Sequence, residues 1–457
     1  MNAPIKVLTP TGAIGTGFSR DAFIKALLER PDVIAMDAGS TDSGPHYLGT
    51  GTTKASASIL RAELRVFMQA RAELGIPLII GSCGTCGSDA GVDLMRGLCE
   101  EVALELGQVV RIASIYSEQS ASIVKQALAQ GRIRPLQLEH IDDALVDRCS
   151  RIVALMGVEP FIHALQDGAD IILAGRSTDT AVMASLPIMR GANPGAAWHA
   201  GKILECGASC TTTPAAAVVM AAIDDTGFTI KAIGEGARLT PRSVMAHMLY
   251  ENSNPHVLIE PGGVLQVEGA TYTALDAQTV RVQGSVWQPS EDYTVKLEGA
   301  APCGFQSVVM SIVRDPEYLQ RFDEWLACLD SVMRQRIEKH LGIGPEDYDL
   351  QFRAIGKNSA LGELESRSGT PVEIGVMAIA TSATADCTKD MVALLNPYML
   401  HFPLPGDKDL PTHAFPFSPA SMDRGEVYEF VLSHVMVVAD PLASFRFDIK
   451  TIQGDAR

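Results

Sequence analysis

Short apolar runs that end in loops of glycine, hydroxyl and acidic residues recur six times within the first 180 residues. They are VLTPTGAIGTG from Val7, VIAMDAGSTDSG from Val33, LIIGSCGTCGSD from Leu78, RIASIYSEQS from Arg111, IVALMGVEP from Ile152 and IILAGRSTDT from Ile171. Apolar runs without polar alternation are typical of parallel strands that are buried on both faces. We therefore predict six parallel strands whose loops gather at one sheet edge, where open α/β sheets bind ligands.

Helical stretches lie between these runs. The clearest covers residues 56–75, where apolar side chains recur at spacings of three and four until Gly75 and Pro77 end the pattern. Residues 92–106 repeat it. This alternation predicts right-handed crossovers in a parallel, Rossmann-like sheet with helices on both faces.

The pattern changes after Pro214. Residues 257–297 contain alternating, β-branched runs that indicate half-exposed antiparallel strands. A long amphipathic helix is predicted at 316–341, and further strands and a helix follow it. We predict an α/β domain over 1–345, with a parallel core to about residue 215 and a β-rich extension from about 216, and a small α+β C-terminal domain over 346–457.

Composition narrows the range of partners. The formal net charge of −17 in 457 residues would repel nucleic acid and anionic membranes. The N-terminus shows no secretion signal, and the apolar runs are shorter than the roughly 20 residues of a membrane helix. Nine cysteines at irregular spacing fit a reducing compartment. We expect a cytoplasmic protein with no nucleic acid or membrane partner.

The first strand-end loop carries Gly12, Gly15 and Gly17. This spacing permits a backbone turn around an anion, although it matches neither the dinucleotide fingerprint nor the P-loop. A tight turn built from small residues is the alternative. We take the three glycines as candidate substrate-binding positions.

The second loop, from Asp37 to Gly44, is followed by Pro45 and His46, and it combines two acids, three hydroxyls and an imidazole. Aspartate and serine commonly cap helices and close turns, which is the structural alternative. Loops at this sheet edge form pockets. Asp42 is therefore a candidate catalytic residue, and Ser43 and His46 are candidate substrate contacts.

The third loop contains Cys83 and Cys86. A thiol at a helix N-terminus can be a nucleophile or acid/base group, and the C-x-x-C spacing also allows redox chemistry. Zinc would need further partners such as Cys206 and Cys210. Small residues in a crowded turn remain the structural alternative. Cys83 is a candidate catalytic thiol and Cys86 a candidate substrate contact.

Charged groups follow the later runs. Glu118 can act as a base, and Arg176 can hold a carboxylate or phosphate with two parallel hydrogen bonds. Ser177 and Asp179 lie in the same loop as candidate substrate contacts, although Arg176 and Asp179 can also pair with each other. His199 is the candidate imidazole for general acid/base catalysis, and a structural histidine is the alternative.

Six segments resemble the acyclic terpene utilisation (AtuA) family. They are DAGSTDSGPHYLG, GSCGTCGSD, AGRSTDTA, AWHAGKILECGA, IEPGGVLQVEG and YEFVLSHVMVVADPLASF. The resemblance implies a role in cytoplasmic catabolism of acyclic terpenes and related acids. It also implies a small companion subunit, because members are often encoded beside one.

The preferred hypothesis is a lyase, hydratase or isomerase that needs no cofactor and acts on a small carboxylate or its acyl-CoA ester. Arg176 and the glycine loop would hold the anion, His199 or Glu118 would move the proton, and Cys83 or Asp42 would assist. A metabolite-binding or scaffold subunit of a hetero-complex is one alternative. A metal-dependent enzyme using Cys83 and Cys86 is another. A homo-oligomer and the companion subunit are the candidate protein partners.

Overall fold

The computed structural model describes residues 3–406 and 409–453. The α-helices are α1 (Arg20–Leu27), α2 (His46–Thr50), α3 (Ala57–Leu74), α4 (Asp89–Glu105), α5 (Ala121–Ala129), α6 (Asp143–Arg148), α7 (Glu159–Gln166), α8 (Asp179–Met189), α9 (Pro194–Leu204), α10 (Pro241–Ala246), α11 (Pro316–Gln320), α12 (Phe322–Leu341) and α13 (Ala385–His401). The strands are β1 (Ile5–Thr9), β2 (Val33–Asp37), β3 (Leu78–Gly81), β4 (Val109–Tyr116), β5 (Ile133–Pro135), β6 (Arg151–Ala154), β7 (Ile171–Ala174), β8 (Val218–Asp224), β9 (Gly227–Ile233), β10 (Val257–Glu260), β11 (Gly263–Gln266), β12 (Thr271–Ala274), β13 (Thr279–Gln283), β14 (Val286–Pro289), β15 (Thr294–Val313), β16 (Tyr348–Ile355), β17 (Ile374–Ser382), β18 (Ser421–Val437) and β19 (Arg446–Gln453).

The chain forms two compact units, Met1–Ala301 with Phe430–Arg457, and Pro302–Glu429. The division predicted from the sequence at residue 345 falls inside the second unit, between α12 and β16. None of the helices within 3–406 and 409–453 combines the length and apolar character needed to cross a membrane.

A ten-stranded mixed sheet forms the centre of the first unit. Its strand order is β12-β13-β9-β8-β1-β2-β3-β7-β4-β19. The five strands β1, β2, β3, β7 and β4 are parallel, while β8 pairs antiparallel with β1 and β19 pairs antiparallel with β4. The α/β class and the parallel segment are confirmed. A Rossmann-like arrangement is not confirmed, because the neighbour of β1 is the antiparallel strand β8, at the place where the second parallel half of a Rossmann fold would begin.

The strand predicted at Ile152 lies outside this sheet. It forms β6, which pairs antiparallel with the first part of β15, with Leu297 opposite Ala154. Both parallel and antiparallel neighbours can bury an apolar strand. The apolar run at Ile152 therefore predicts a buried strand without identifying the strand that pairs with it. The prediction of six parallel strands is therefore wrong for β6 and holds for the other five.

Both faces of the parallel segment are covered. Alternate side chains of β2 belong to different cores, since Val33 and Ala35 pack with α8 and α9, whereas Ile34 and Met36 pack with α3 and α4. This burial on two faces explains the uninterrupted apolar runs.

Hydroxyl residues of the strand-end loops start several helices. Ser56 accepts a hydrogen bond from the backbone of Ile59, and α3 ends at Gly75 in the left-handed region, so this helix is confirmed to its ends. Ser88, Ser120 and Thr178 cap α4, α5 and α8 in the same way. Part of the hydroxyl content of these loops thus serves helix initiation.

The β-rich segment pairs as predicted. The strands β10, β11 and β14 form an antiparallel sheet, and β12 and β13 join the ten-stranded sheet with antiparallel pairing. In the second unit, β16, β17 and the later part of β15 pair antiparallel. Their apolar side chains pack with α12 and α13 around the fully buried Trp325.

The loop after β3 approaches the backbone of Arg176 closely. Gly87 has φ +69°, and a Cβ atom there would lie 2.2 Å from the backbone nitrogen of Arg176. Its backbone carbonyl accepts a hydrogen bond from that nitrogen at 3.1 Å. The contact holds the loop after β3 against the loop after β7, which carries Arg176.

We expect Gly87→Ala to lower the free energy of unfolding by several kcal/mol, because the new Cβ must displace backbone atoms in addition to the roughly 1–2 kcal/mol cost of a left-handed alanine. The matched control is Gly107→Ala, since Gly107 has φ +62° and a Cβ there would meet nothing within 4 Å. Urea denaturation of both variants measures the difference. Equal losses would show that the close approach is unimportant.

Candidate functional site

A cleft of about 750 Å³ lies at the carboxyl edge of the parallel strands. The loops after β1 and β2, the first residue of α8 and segments after α9 and α10 form its walls. Five acidic residues line it: Asp37, Asp42, Asp179, Glu205 and Glu251. None of the described residues that line it is a lysine, arginine or histidine. The position is the one predicted for a ligand site, and its character is acidic.

Two of these carboxyl groups share a hydrogen bond. Asp37 is the last residue of β2 and is 2% exposed, and Asp179 is the first residue of α8. Burial, and then the negative charge of Asp179, raises the pKa of Asp37 well above its usual range. Two carboxyl groups can share a hydrogen bond only when one is protonated. Burial also raises the pKa of Asp179, although Arg176 and the hydrogen bond from Asp37 act to lower it, so Asp37 is the group that keeps a proton more readily and Asp179 the one that accepts the hydrogen bond.

A second carboxyl pair lies in the same cleft. Burial and a hydrogen bond to Asp42 raise the pKa of Glu251 to about 7. Although burial opposes it, the hydrogen bonds from Glu251 and Ser40 lower the pKa of Asp42. The Ser40 hydroxyl donates to Asp42 Oδ2 at 2.7 Å. Glu251 and Asp42 thus repeat the arrangement of a protonated and an ionised carboxyl group.

Arg176 lies behind the cleft and is not among the residues that line it. Its buried guanidinium donates from Nε to Glu298 Oε2 at 2.9 Å, and Glu298 Oε1 accepts from Lys296 at 2.7 Å. Further donors reach Ser82 Oγ at 3.3 Å and Thr41 Oγ1 at 3.4 Å. Although burial opposes it, Arg176 lowers the pKa of Glu298 to about 2. Glu298 is therefore the carboxylate closest to Arg176. The pairing of Arg176 with Asp179 that the sequence left open is also present, with Nη1 at 4.0 Å from Asp179 Oδ1.

The glycine loop after β1 binds an internal carboxylate. The backbone amides of Gly15 and Gly17 donate to Glu63 at 2.7 and 3.0 Å. Glu63 belongs to α3 and is buried. Gly12 and Gly17 line the cleft. The turn has the geometry of an anion cradle, and two of its amides are occupied by the protein itself.

The two cysteines of the third loop are buried outside the cleft lining. Cys83 Sγ donates to the carbonyl of Ile80 at 3.7 Å, and Cys86 Sγ donates to that of Tyr47 at 3.3 Å. Burial raises the pKa of both thiols, which opposes the thiolate form that a nucleophile needs. Ser177, a candidate substrate contact from the loop after β7, is also buried. Its backbone nitrogen lies 3.5 Å from Oγ of Ser82, the residue before Cys83.

His199 is held between α9 and the β-rich segment. Its Nδ1 is 2.7 Å from Ser285 Oγ, and its Nε2 is 3.2 Å from the Tyr272 hydroxyl. Burial lowers the pKa of His199 to about 3, so the imidazole stays neutral. This arrangement is that of the structural histidine which the sequence left as the alternative.

The other predicted residues also lie outside the cleft lining. Glu118 accepts from the backbone of Asp89 at 2.9 Å and lies 3.5 Å from Arg151. Ser43 Oγ accepts from the ammonium group of Lys54 at 3.4 Å, and His46 is the first residue of α2. The cleft thus brings together Gly12, Gly17, Asp42 and Asp179 from the predicted set.

Three cleft residues, Glu205, Tyr250 and Glu251, had no clear signal in the sequence, and the sequence indicated Cys206 only as a zinc partner. Glu205 and Cys206 follow α9, and Tyr250 and Glu251 follow α10, far along the chain from the strand-end loops. Asp37 begins the second strand-end loop, but it was not among the predicted site residues. Its position at the end of a buried strand was the feature that could have indicated a role in the site. Burial raises the pKa of Glu205 to about 8. Among the described residues, the ligand atoms of Glu205, Cys206 and His247 lie within 4.8 Å of one another.

The chain belongs to the acyclic terpene utilisation family, protein AtuA. The family model matches residues 50–408, which is most of the chain. The resemblance seen in the sequence is thereby confirmed, and the family implies a role in acyclic terpene utilisation. Comparison with curated proteins and with solved structures found no match.

We expect Arg176→Met to lower the free energy of unfolding by about 3–5 kcal/mol, because it leaves the buried carboxylate of Glu298 without its main counter-charge. The control is Arg61→Met, which removes the exposed pair with Glu105 and should cost less than about 1 kcal/mol. Urea denaturation at neutral pH compares the two variants. A loss at Arg176 no larger than that at Arg61 would contradict the structural role of this ion pair.

Proposed function

We propose that this protein is a hydratase or dehydratase of terpene catabolism, which adds or removes water at a carbon–carbon double bond conjugated to an acyl thioester. The observation that carries the proposal is the hydrogen-bonded pair of Asp37 and Asp179 in the acidic cleft. Pairs of carboxyl groups whose environments separate their protonation states provide an acid and a base in one site.

Asp37 and Asp179 together can supply and take up every proton that moves in the hydration. In hydration, the Asp179 carboxylate takes a proton from water as the water oxygen bonds to the β-carbon of the double bond. The protonated Asp37 then gives its proton to the α-carbon, and the double bond becomes a single bond. Asp179 now holds a proton and Asp37 is ionised, so transfer through their hydrogen bond restores the starting state.

The charge of the cleft favours an uncharged reacting group. Of the five acidic residues that line the cleft, Asp42 and Asp179 are ionised, no described lining residue is a cation, and the whole chain carries a net charge of −17. A free carboxylate would be repelled, whereas a thioester carbonyl has no charge. Of the two substrate forms predicted from the sequence, the cleft therefore favours the acyl ester. A coenzyme A phosphate group would remain outside the cleft.

The second carboxyl pair supports the same reaction. Asp42, a catalytic candidate from the sequence, lies with Glu251 in the cleft that holds Asp37. An ionised and a protonated carboxyl group can accept from and donate to the water that is added. We assign this pair to binding the water or product hydroxyl, a role that contributes to positioning.

We expect Asp37→Asn and Asp179→Asn each to lower kcat/KM at least about 100-fold, because each removes one of the two proton-transfer groups. The control is Asp143→Asn, since Asp143 is likewise the first residue of a helix and does not line the cleft. The substrates are pantetheine thioesters of branched 2-enoic and 3-hydroxy acids, assayed in ¹⁸O-labelled water. Mass spectrometry of the products measures conversion and label together.

Two results would contradict the proposal. Full activity in both cleft variants would show that Asp37 and Asp179 do not transfer the protons. Conversion of the 2-enoyl thioester by the unaltered protein without ¹⁸O uptake would identify an isomerase, which moves a double bond without adding water.

A further inference from the structure

Three side chains with different donor atoms converge at one wall of the cleft. Glu205 and Cys206 directly follow α9, and His247 begins a short 3₁₀ helix at His247–Leu249. One ligand atom from each lies within 4.8 Å of the other two. Ligand atoms around a tetrahedral zinc ion lie roughly 3.5 Å apart, given bonds of about 2.0–2.3 Å. Small side-chain rotations therefore suffice to enclose an ion.

His247 has an unsatisfied nitrogen at this place. The residue is 6% exposed, and its Nε2 has no hydrogen-bond partner among the described residues. A buried polar atom without a partner costs about 1–3 kcal/mol. Its ring stacks on that of Tyr250, with an interplanar angle of 2° and a centroid distance of 5.4 Å. The imidazole is thus held in place while one of its nitrogens lacks a partner.

Glu205 retains an oxygen for a ligand. Its Oε1 accepts from the ammonium group of Lys202, which also donates to the carbonyl of Tyr250 at 2.7 Å. Within the part of the chain that the structure describes, its Oε2 accepts one long hydrogen bond, from the Thr180 hydroxyl at 3.3 Å. Carboxylates that bind metals are themselves usually hydrogen-bonded through other groups. Lys202 can therefore orient Glu205 through Oε1 while Oε2 binds an ion.

The surrounding charge also favours a cation. The ionised Asp42 and Asp179 line the same cleft as Glu205 and Cys206. A divalent ion would reduce the repulsion among these groups. Because Glu205 and Cys206 line the cleft, an ion bound to them has one side directed towards it.

We infer that Glu205, Cys206 and His247 bind one zinc ion, with a fourth coordination position open to the cleft. A mixed set of nitrogen, sulfur and oxygen donors suits zinc, and three protein ligands with one open position are typical of catalytic zinc sites. On binding, the Cys206 thiol releases its proton to solvent and coordinates as thiolate. Such an ion can polarise a carbonyl oxygen or a water molecule in the cleft. The inference goes beyond the proposed hydration and does not depend on it.

Cobalt titration tests the site with the metal alone as the probe. The full chain without a polyhistidine tag is dialysed against a chelator, and Co²⁺ is then added in steps. We expect about one ion per chain to bind, with a near-ultraviolet thiolate-to-cobalt band that Zn²⁺ removes by displacement. Cys206→Ser should abolish the band, and His247→Gln should weaken binding by roughly 100-fold or more.

Two controls make the result specific. Cys149→Ser alters another half-buried thiol that lies outside the three-residue group and should leave the band unchanged. Asp37→Asn should bind Co²⁺ like the unaltered protein even where hydration is lost, which separates the zinc site from the proposed reaction. The inference is overturned if the unaltered chain shows no saturable band, or if Cys206→Ser retains it. Thermal unfolding of each metal-free variant confirms that it is folded.

Discussion

Negative charge buried at the carboxyl edge of the parallel sheet is the constraint on which this site depends. Carboxyl groups out of water need a counter-charge, hydrogen-bond donors or a proton. The chain uses all three: Arg176 and Lys296 neutralise Glu298, two glycine amides bind Glu63, and Asp37 keeps a proton that it shares with Asp179. Glu298 and Glu63 are thereby bound within the protein, whereas Asp37 and Asp179 keep a proton that can be transferred.

The groups suited to binding an external anion are already used within the protein. Arg176 is paired with Glu298, and the amides of Gly15 and Gly17 are paired with Glu63. What faces the cleft is a set of carboxyl groups at different stages of protonation, with a thiol and an imidazole close to Glu205. Such a set is suited to moving protons and to holding a cation. Proton transfer and metal binding are therefore complementary proposals for one cleft.

Local features explain which parts of the fold were predictable. The apolar runs defined β1, β2, β3, β4 and β7, and the serine cap and terminal glycine defined α3, because helix periods and capping are properties of neighbouring residues. The partner of β6 was not predictable, since its antiparallel neighbour in β15 lies about 145 residues further along the chain. The homo-oligomer and the companion subunit stay predictions of the sequence.

The sequence by itself determined the α/β class, the family and the sheet edge at which polar loops would gather, because strand ends and turn residues are encoded locally. It also identified Asp42, Asp179, Gly12 and Gly17 as residues of the cleft. Only the tertiary structure decided the partners of these groups. Arg176 pairs with Glu298, which lies 122 positions further along the chain. Glu251 reaches the cleft, and His247 reaches Glu205, from segments with no recognisable motif. The protonation of the cleft carboxyl groups depends on burial and charge that such distant neighbours provide, and so does the proposed metal affinity. A local sequence pattern contains no information on these neighbours.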